Sequence, residues 1–187
     1  IGTLRSIPNI SIVVPSDPFE LFKVLNEAIN YENSVYIRLT AGSNTKIINN
    51  KDYKFKIGKA VEILPGDDVA IIGCGNILGN CLEAASTLRN KKIQCSVVNM
   101  HTIKPIDQEK IKDIARKKKL IVTVEEHNIF GGLGSSVAEV LAGERNNCKL
   151  VRVGINDFYS TGGSYEYLKN IYGLSVEKII MTVLKNL

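Results

Sequence analysis

The densest concentration of reactive side chains is Glu125-Glu126-His127, followed three residues later by Gly131-Gly132-Leu133-Gly134-Ser135-Ser136. It comes straight after the apolar run Leu120 to Val124. That places it at the carboxyl end of a buried strand, where α/β proteins carry functional groups. Two roles fit His127. Two neighbouring carboxylates would raise its pKa and make it a general base, or it is a satisfied polar anchor for the loop entering the next helix. Gly131, Gly132 and Gly134 leave backbone amides open at a helix N-terminus, which could receive an anion. No cysteine stands close in sequence to complete a metal set with these residues.

The other histidine, His101, lies in Asn99-Met100-His101-Thr102-Ile103-Lys104-Pro105-Ile106-Asp107. This stretch follows another strand, so both histidines are expected on loops at one edge of a sheet. The expectation is a polar cluster or an interface formed by His101, Glu125, Glu126 and His127 with Gly131, Gly132 and Gly134. Arg38 interrupts the apolar run Val35-Tyr36-Ile37-Arg38-Leu39. A guanidinium there calls for a carboxylate or a ligand phosphate, and both remain open. Gly73-Cys74-Gly75-Asn76-Ile77-Leu78-Gly79 invites a dinucleotide fingerprint. However, three residues rather than two precede its last glycine, and the next strand ends in Asn99 where a ribose-binding acid would stand. A tight strand-to-helix turn is the better reading.

The elements that would position these groups alternate. Ser11–Pro15, Val35–Leu39, Val69–Cys74, Cys95–Asn99, Leu120–Val124 and Leu150–Val153 read as strands. Helical patterns cover Phe19–Ile29, Ile77–Leu88, Asp107–Lys117, a segment ending near Gly143, Tyr165–Ile171 and Val176–Leu184. Ser16 or Asp17 caps the first helix, with Pro18 in its first turn. Leu21, Phe22, Val24, Leu25 and Ala28 share one face of that helix. Such alternation predicts a mostly parallel sheet covered on both faces. Turn-rich runs at Ala41–Asn44 and Asn49–Asp52 mark a linker. Residues 51–187 suffice for one α/β domain, whereas residues 1–50 hold too little to form a core alone. They enter mid-pattern, as if cut from something longer.

Of the 187 residues, 44% are hydrophobic and 23% charged, the balance of a globular chain. No apolar run approaches the roughly 20 residues of a membrane span, and no signal peptide opens the sequence. No membrane association and a cytoplasmic location are expected. The net charge of +5 raises nucleic-acid binding. Yet the tightest basic run, Arg116-Lys117-Lys118-Lys119, closes a helix, where cations complement the dipole. It has no interleaved aromatics of the kind single-strand binders use. Cys74, Cys81, Cys95 and Cys148 have no metal-ligand spacing and read as reduced structural thiols.

Several of these stretches resemble the C-terminal region of transketolase-type thiamine-diphosphate enzymes. Leu4-Arg5-Ser6-Ile7-Pro8-Asn9 with Val14-Pro15-Ser16-Asp17 is similar to the second half of the family's pyrimidine-binding domain, and Tyr36-Ile37-Arg38-Leu39 to its closing strand. Ile57-Gly58-Lys59-Ala60, Asn99–Asp107 and Val124–His127 with Gly131–Gly134 resemble the family's C-terminal domain, in the small-subunit form. The resemblance implies that residues 1–50 are the end of a pyrimidine-binding domain plus linker. Residues 51–187 would then be a three-layer α/β/α C-terminal domain with a five-stranded, mostly parallel sheet and one antiparallel strand.

The same resemblance implies ketol transfer with thiamine diphosphate and Mg held elsewhere, on a diphosphate-binding domain or subunit. It implies homodimerisation and a sugar-phosphate substrate, with Arg38 as the candidate contact. The activating glutamate would lie before residue 1, so no catalytic residue, cofactor or metal is expected on this chain alone. A second arginine often follows Arg38 by three residues in the family; here that position is Ala41. Deoxyxylulose-phosphate synthase, a 2-oxoacid dehydrogenase beta chain and a non-catalytic dimerisation or regulatory module are the alternatives.

Overall fold

The computed structural model describes residues 1–40, 47–48, 53–145 and 147–187. Its strands and helices run in the order α1 Gly2–Arg5, β1 Ile10–Val13, α2 Pro18–Ile29, β2 Ser34–Ile37, β3 Val61–Leu64, β4 Val69–Gly73, α3 Leu78–Asn90, β5 Cys95–Asn99, β6 Thr102–Lys104, α4 Gln108–Lys117, β7 Leu120–Asn128, α5 Leu133–Ala142, β8 Lys149–Ile155, α6 Tyr165–Ile171 and α7 Val176–Asn186.

Five strands form the main sheet in the order β3-β5-β4-β7-β8, with β3 antiparallel on its edge and the rest parallel. Side chains alternate across a strand, so a strand covered on both faces needs a nearly continuous apolar run. β4 meets that requirement. Val69 and Ile71 pack into a core with α3 and α7, while Ala70 and Ile72 enter a second core with α4 and α5. The result is the expected three-layer α/β/α arrangement. Arg116 and Lys117 occupy the last turn of α4, as their sequence position suggests.

A smaller sheet, β2-β1-β6, ties the first residues to this body. β1 pairs parallel with β2 and antiparallel with β6, whose three residues lie inside the stretch expected to be a loop. α1 and β6 were not anticipated, and β3 only as the one antiparallel strand that the resemblance implied; none of the three carries a run of β-branched residues like those that mark β1. The capping of α2 follows the sequence reading. Asp17 Oδ1 accepts from the Glu20 amide at 2.8 Å, and Pro18 stands at the first helical position.

Glu20 itself is fully buried and binds across three segments. Its carboxylate accepts from Ser16 N at 2.7 Å and Ser16 Oγ at 2.8 Å, from Tyr53 Oη at 2.6 Å and from Asn99 Nδ2 at 2.7 Å. The predicted linker runs, Ala41–Asn44 and Asn49–Asp52, lie outside the described residues. Between them, Ile48 N donates to Asp17 Oδ2 at 2.9 Å. The apolar face expected on α2 is only partly buried: Val24 enters a core with Val13, Phe55 and Ile57, whereas Phe22 and Leu25 are exposed. No helix among the described residues is long and apolar enough to cross a membrane.

Candidate functional site

β7 continues four residues beyond its predicted end and carries Glu125, Glu126 and His127 out of the core. Glu125 is almost wholly buried, and it reaches forward to the start of α5. Its Oε2 accepts from Leu133 N at 2.7 Å and its Oε1 from Gly134 N at 2.8 Å. First-turn amides have no partner inside their own helix, and a carboxylate also complements the helix dipole. The glycines allow this approach. A Cβ on Gly132 would stand 1.9 Å from Glu125 Oε2, and one on Gly134 would stand 2.8 Å from both Thr123 Oγ1 and Arg152 Cγ. The helix end that an external anion could have occupied is therefore closed by the chain's own carboxylate. Burial pushes the Glu125 carboxyl above its ordinary range, with the two amides, Arg152 and Arg38 pulling it back.

His127 has both ring nitrogens engaged. Nδ1 lies 2.7 Å from the Asn128 carbonyl oxygen, which assigns it the proton. Nε2 is left to accept from Gly2 N at 3.4 Å and lies 3.3 Å from Ile1 N. Glu125 Oε2 is 3.9 Å from Nδ1, and burial lowers the His127 pKa. The raised-pKa general base is overturned; the polar-anchor role is the one the geometry supports. Gly131 completes the anchor. Its φ is +74°, a Cβ would stand 2.9 Å from Gly2 Cα, and its carbonyl accepts from Arg5 Nη1 at 3.3 Å. Glu125 and His127 thus clamp α1, the glycine loop and α5 together.

Arg38 and Glu126 meet on the other side of this clamp. Arg38 N donates to Val13 O at 2.8 Å, extending the β1–β2 pairing by one residue. Its guanidinium Nη2 donates to the Glu126 carbonyl at 2.8 Å. Among the described residues no carboxylate lies within ion-pair distance of Arg38, so a main-chain carbonyl stands where an ion pair was one of the expectations. Glu126 Oε1 accepts from the hydroxyl of Tyr165 at the start of α6, and Glu126 Oε2 is buried with no partner among the described residues. Burial raises the Glu126 carboxyl, against the Tyr165 hydrogen bond and the positive charge of Arg38. Tyr165 escaped the sequence reading. One tyrosine in a short helical pattern carries no signal of a partner 39 residues away.

His101 stands apart from this group. β5 and β7 flank β4 on opposite sides, and no hydrogen bond or ring contact joins the two histidines. The expectation that His101 joins the others is corrected: Glu125, Glu126 and His127 group with the glycine loop and Arg38, without His101. His101 is fully buried, its ring centroid 4.3 Å from that of Phe55 and its Nδ1 2.8 Å from Thr102 Oγ1. Burial brings its pKa down to about 4.

The Gly73–Gly79 segment makes the tight turn expected of it. Gly75 has φ +72° and opens a short 3₁₀ turn into α3, with Val14 Cγ1 3.0 Å from where a Cβ would be. Neither glycine motif can cradle a diphosphate, because one is closed by Glu125 and the other is buried beneath Val14. No cluster of three metal-ligating side chains occurs among the described residues. Ala41 lies outside them. What the site offers chemically is a half-buried guanidinium held at the junction of the two sheets, beside Glu125 and His127, whose polar atoms are taken up by backbone groups, and Glu126, whose Oε2 has no partner among the described residues.

Comparison with known proteins bears on this arrangement. Residues 58–179 match the family "Transketolase, C-terminal domain". The chain is 36% identical, over 99% of its length, to a subunit of the apulose-4-phosphate transketolase of Phocaeicola vulgatus, covering 59% of that protein. It is also 36% identical, over 96% of its length, to the 1-deoxy-D-xylulose-5-phosphate synthase of Heliobacterium modesticaldum, covering 28% of it. A solved structure described as a split-gene transketolase, an inactive beta4 tetramer, superposes with a TM-score of 0.91 at 35% identity, covering 99% of this chain and 59% of that one. The chain thus spans about three fifths of the subunit-type relatives it matches. With its antiparallel edge strand, two-faced parallel sheet and matched span, this chain belongs to the transketolase C-terminal domain family.

Proposed function

We propose that this chain is the C-terminal part of an enzyme that transfers a two-carbon ketol unit between sugars with thiamine diphosphate and Mg. In this reading residues 1–50 end a pyrimidine-binding domain, residues 51–187 form the C-terminal domain, and the assembly is a cytoplasmic homodimer. The diphosphate-binding domain or subunit is a separate portion. Bound thiamine diphosphate supplies the carbon nucleophile that accepts the ketol unit. In this reading its binding falls to that other portion, and the isolated chain is inactive.

This chain's own contribution is Arg38. One of its five N–H donors is held by the Glu126 carbonyl at 2.8 Å, and the planar fork suits a substrate phosphate. That half-buried guanidinium at the junction of the two sheets is the observation that carries the reading. One relative named as a transketolase subunit, and a structural neighbour described as a split-gene transketolase, support a two-part enzyme.

Calorimetric titration of thiamine diphosphate and Mg into the chain, alone and then with its upstream region or partner subunit, tests this. Binding is expected only with both portions present. Micromolar, saturable binding to the isolated chain would overturn the proposal.

A further inference from the structure

β7 and β8 fall out of register where Glu126 sits. Val124 faces Val153 and Asn128 faces Ile155, so four steps along β7 are matched by two along β8. Such a bulge withdraws residues from the ladder and re-aims their groups. The Glu126 carbonyl is thereby free to face Arg38 Nη2 at 2.8 Å. A bulged peptide has no ladder partner to fix its plane, so something else must fix it. The Glu126 side chain is itself tethered, its Oε1 accepting from the Tyr165 hydroxyl. Tyr165 is in turn placed by its position directly after Ser164, whose hydroxyl accepts from Tyr167 N and caps α6, and by Lys169, whose ammonium lies 4.6 Å from the Tyr165 ring centroid. A chain of contacts therefore runs from α6, through the side chain and then the backbone of one residue, to the guanidinium.

We propose that Glu126 and Tyr165 are positioning residues for Arg38, through which the C-terminal domain sets the affinity of the complete enzyme for the phosphate of its sugar substrate. This rests on the reading of Arg38 as the phosphate contact. The orientation of the guanidinium fork matters because bidentate recognition tolerates little rotation. Losing the hydroxyl of Tyr165 leaves the carbonyl of Glu126 in place but no longer held. The cost falls on binding of the phosphate rather than on turnover.

The test uses the complete two-part enzyme and an acceptor pair that differs only by phosphate, ribose 5-phosphate and ribose. Tyr165→Phe is expected to raise KM for ribose 5-phosphate about fivefold, the size of one lost hydrogen bond, with kcat within twofold and the ribose KM unchanged. Glu126→Gln keeps an oxygen for the tyrosine and should stay near wild type, while Glu126→Ala should match Tyr165→Phe. If Arg38→Ala raises the ribose 5-phosphate KM but Tyr165→Phe and Glu126→Ala do not, the positioning proposal fails and the role of Arg38 survives. If Arg38→Ala leaves that KM unchanged, the underlying reading fails with it. Parallel losses with ribose and ribose 5-phosphate would show a purely structural role and overturn the proposal.

Discussion

A methyl group on Gly132 would stand 1.9 Å from Oε2 of Glu125. The glycine is there because the carboxylate must pass close by to take the amides of Leu133 and Gly134. Gly132→Ala should force that carboxylate away, leaving a buried charge and two buried amides without partners. A loss of about 3 kcal/mol or more is expected. Glu125→Gln keeps one acceptor and turns a donor toward the other amide, and should cost about 1–2 kcal/mol. Urea unfolding midpoints measure both. A Gly132→Ala chain as stable as the parent would contradict the clamp.

His127 is an anchor, and its kinetics should show it. Removing a general base costs roughly 10²–10⁴-fold in rate. Because both nitrogens are engaged by backbone groups, His127→Gln in the complete enzyme should lower kcat less than about tenfold while measurably destabilising the chain. A kcat loss of a hundredfold or more with stability unchanged would restore the catalytic role.

The buried ring of His101 predicts an acid-sensitive fold. Its pKa falls from 6.5 to about 4 because burial penalises the charged form. The unfolded chain therefore binds the proton first as pH falls. Its stabilising contribution is complete above about pH 6.5 and is lost progressively down to about pH 4. The total is about 3 kcal/mol at 1.36 kcal/mol for each pH unit. Glu20, Glu125 and Glu126, raised above 4.5 by burial, act oppositely within the same range: their contribution grows as pH falls through their raised values and is complete below about pH 4.5. Comparing wild type with His101→Gln isolates the histidine: the difference in stability should shrink as pH falls from 6.5 to 4. A difference constant with pH would contradict it.

Tyr53 and Glu20 hold the segment that leads toward β3 onto α2. The phenol meets a fully buried carboxylate at 2.6 Å. Tyr53→Phe should cost about 1–3 kcal/mol, against less than about 0.5 kcal/mol for Tyr36→Phe on the exposed face of β2. Equal effects in thermal unfolding would mean that the Glu20 network adds nothing at that position.

Much of the main sheet was legible because its strands are long enough to show their pattern. Val69–Gly73 is a continuous apolar run, and Cys95–Asn99 and the start of β7 are mostly apolar with the small polar Ser96 and Thr123 inside them, a pattern that fits burial on both faces. Asp17 and Pro18 announced α2 through local capping chemistry. What stayed hidden was non-local. β6 is recognisable only by its pairing with β1, which lies far away in sequence. The Glu125–Gly132 contact looked in sequence like an open anion site, since spacing alone does not say which of two adjacent carboxylates turns inward. The link from Tyr165 through Glu126 to Arg38 depends on a bulge that leaves no compositional trace. The two histidines were placed together because both follow strand ends; the intervening β4 separates them.

Ketol transfer measured on reconstitution tests the central claim most directly. The chain would be assayed alone, and then with the separately produced portion that carries the diphosphate-binding domain, with thiamine diphosphate and Mg present throughout. Turnover is predicted only in the mixture, and Arg38→Ala should weaken it with phosphorylated sugar. Turnover by the isolated chain, or a stable stoichiometric complex that transfers no ketol unit, would contradict the account.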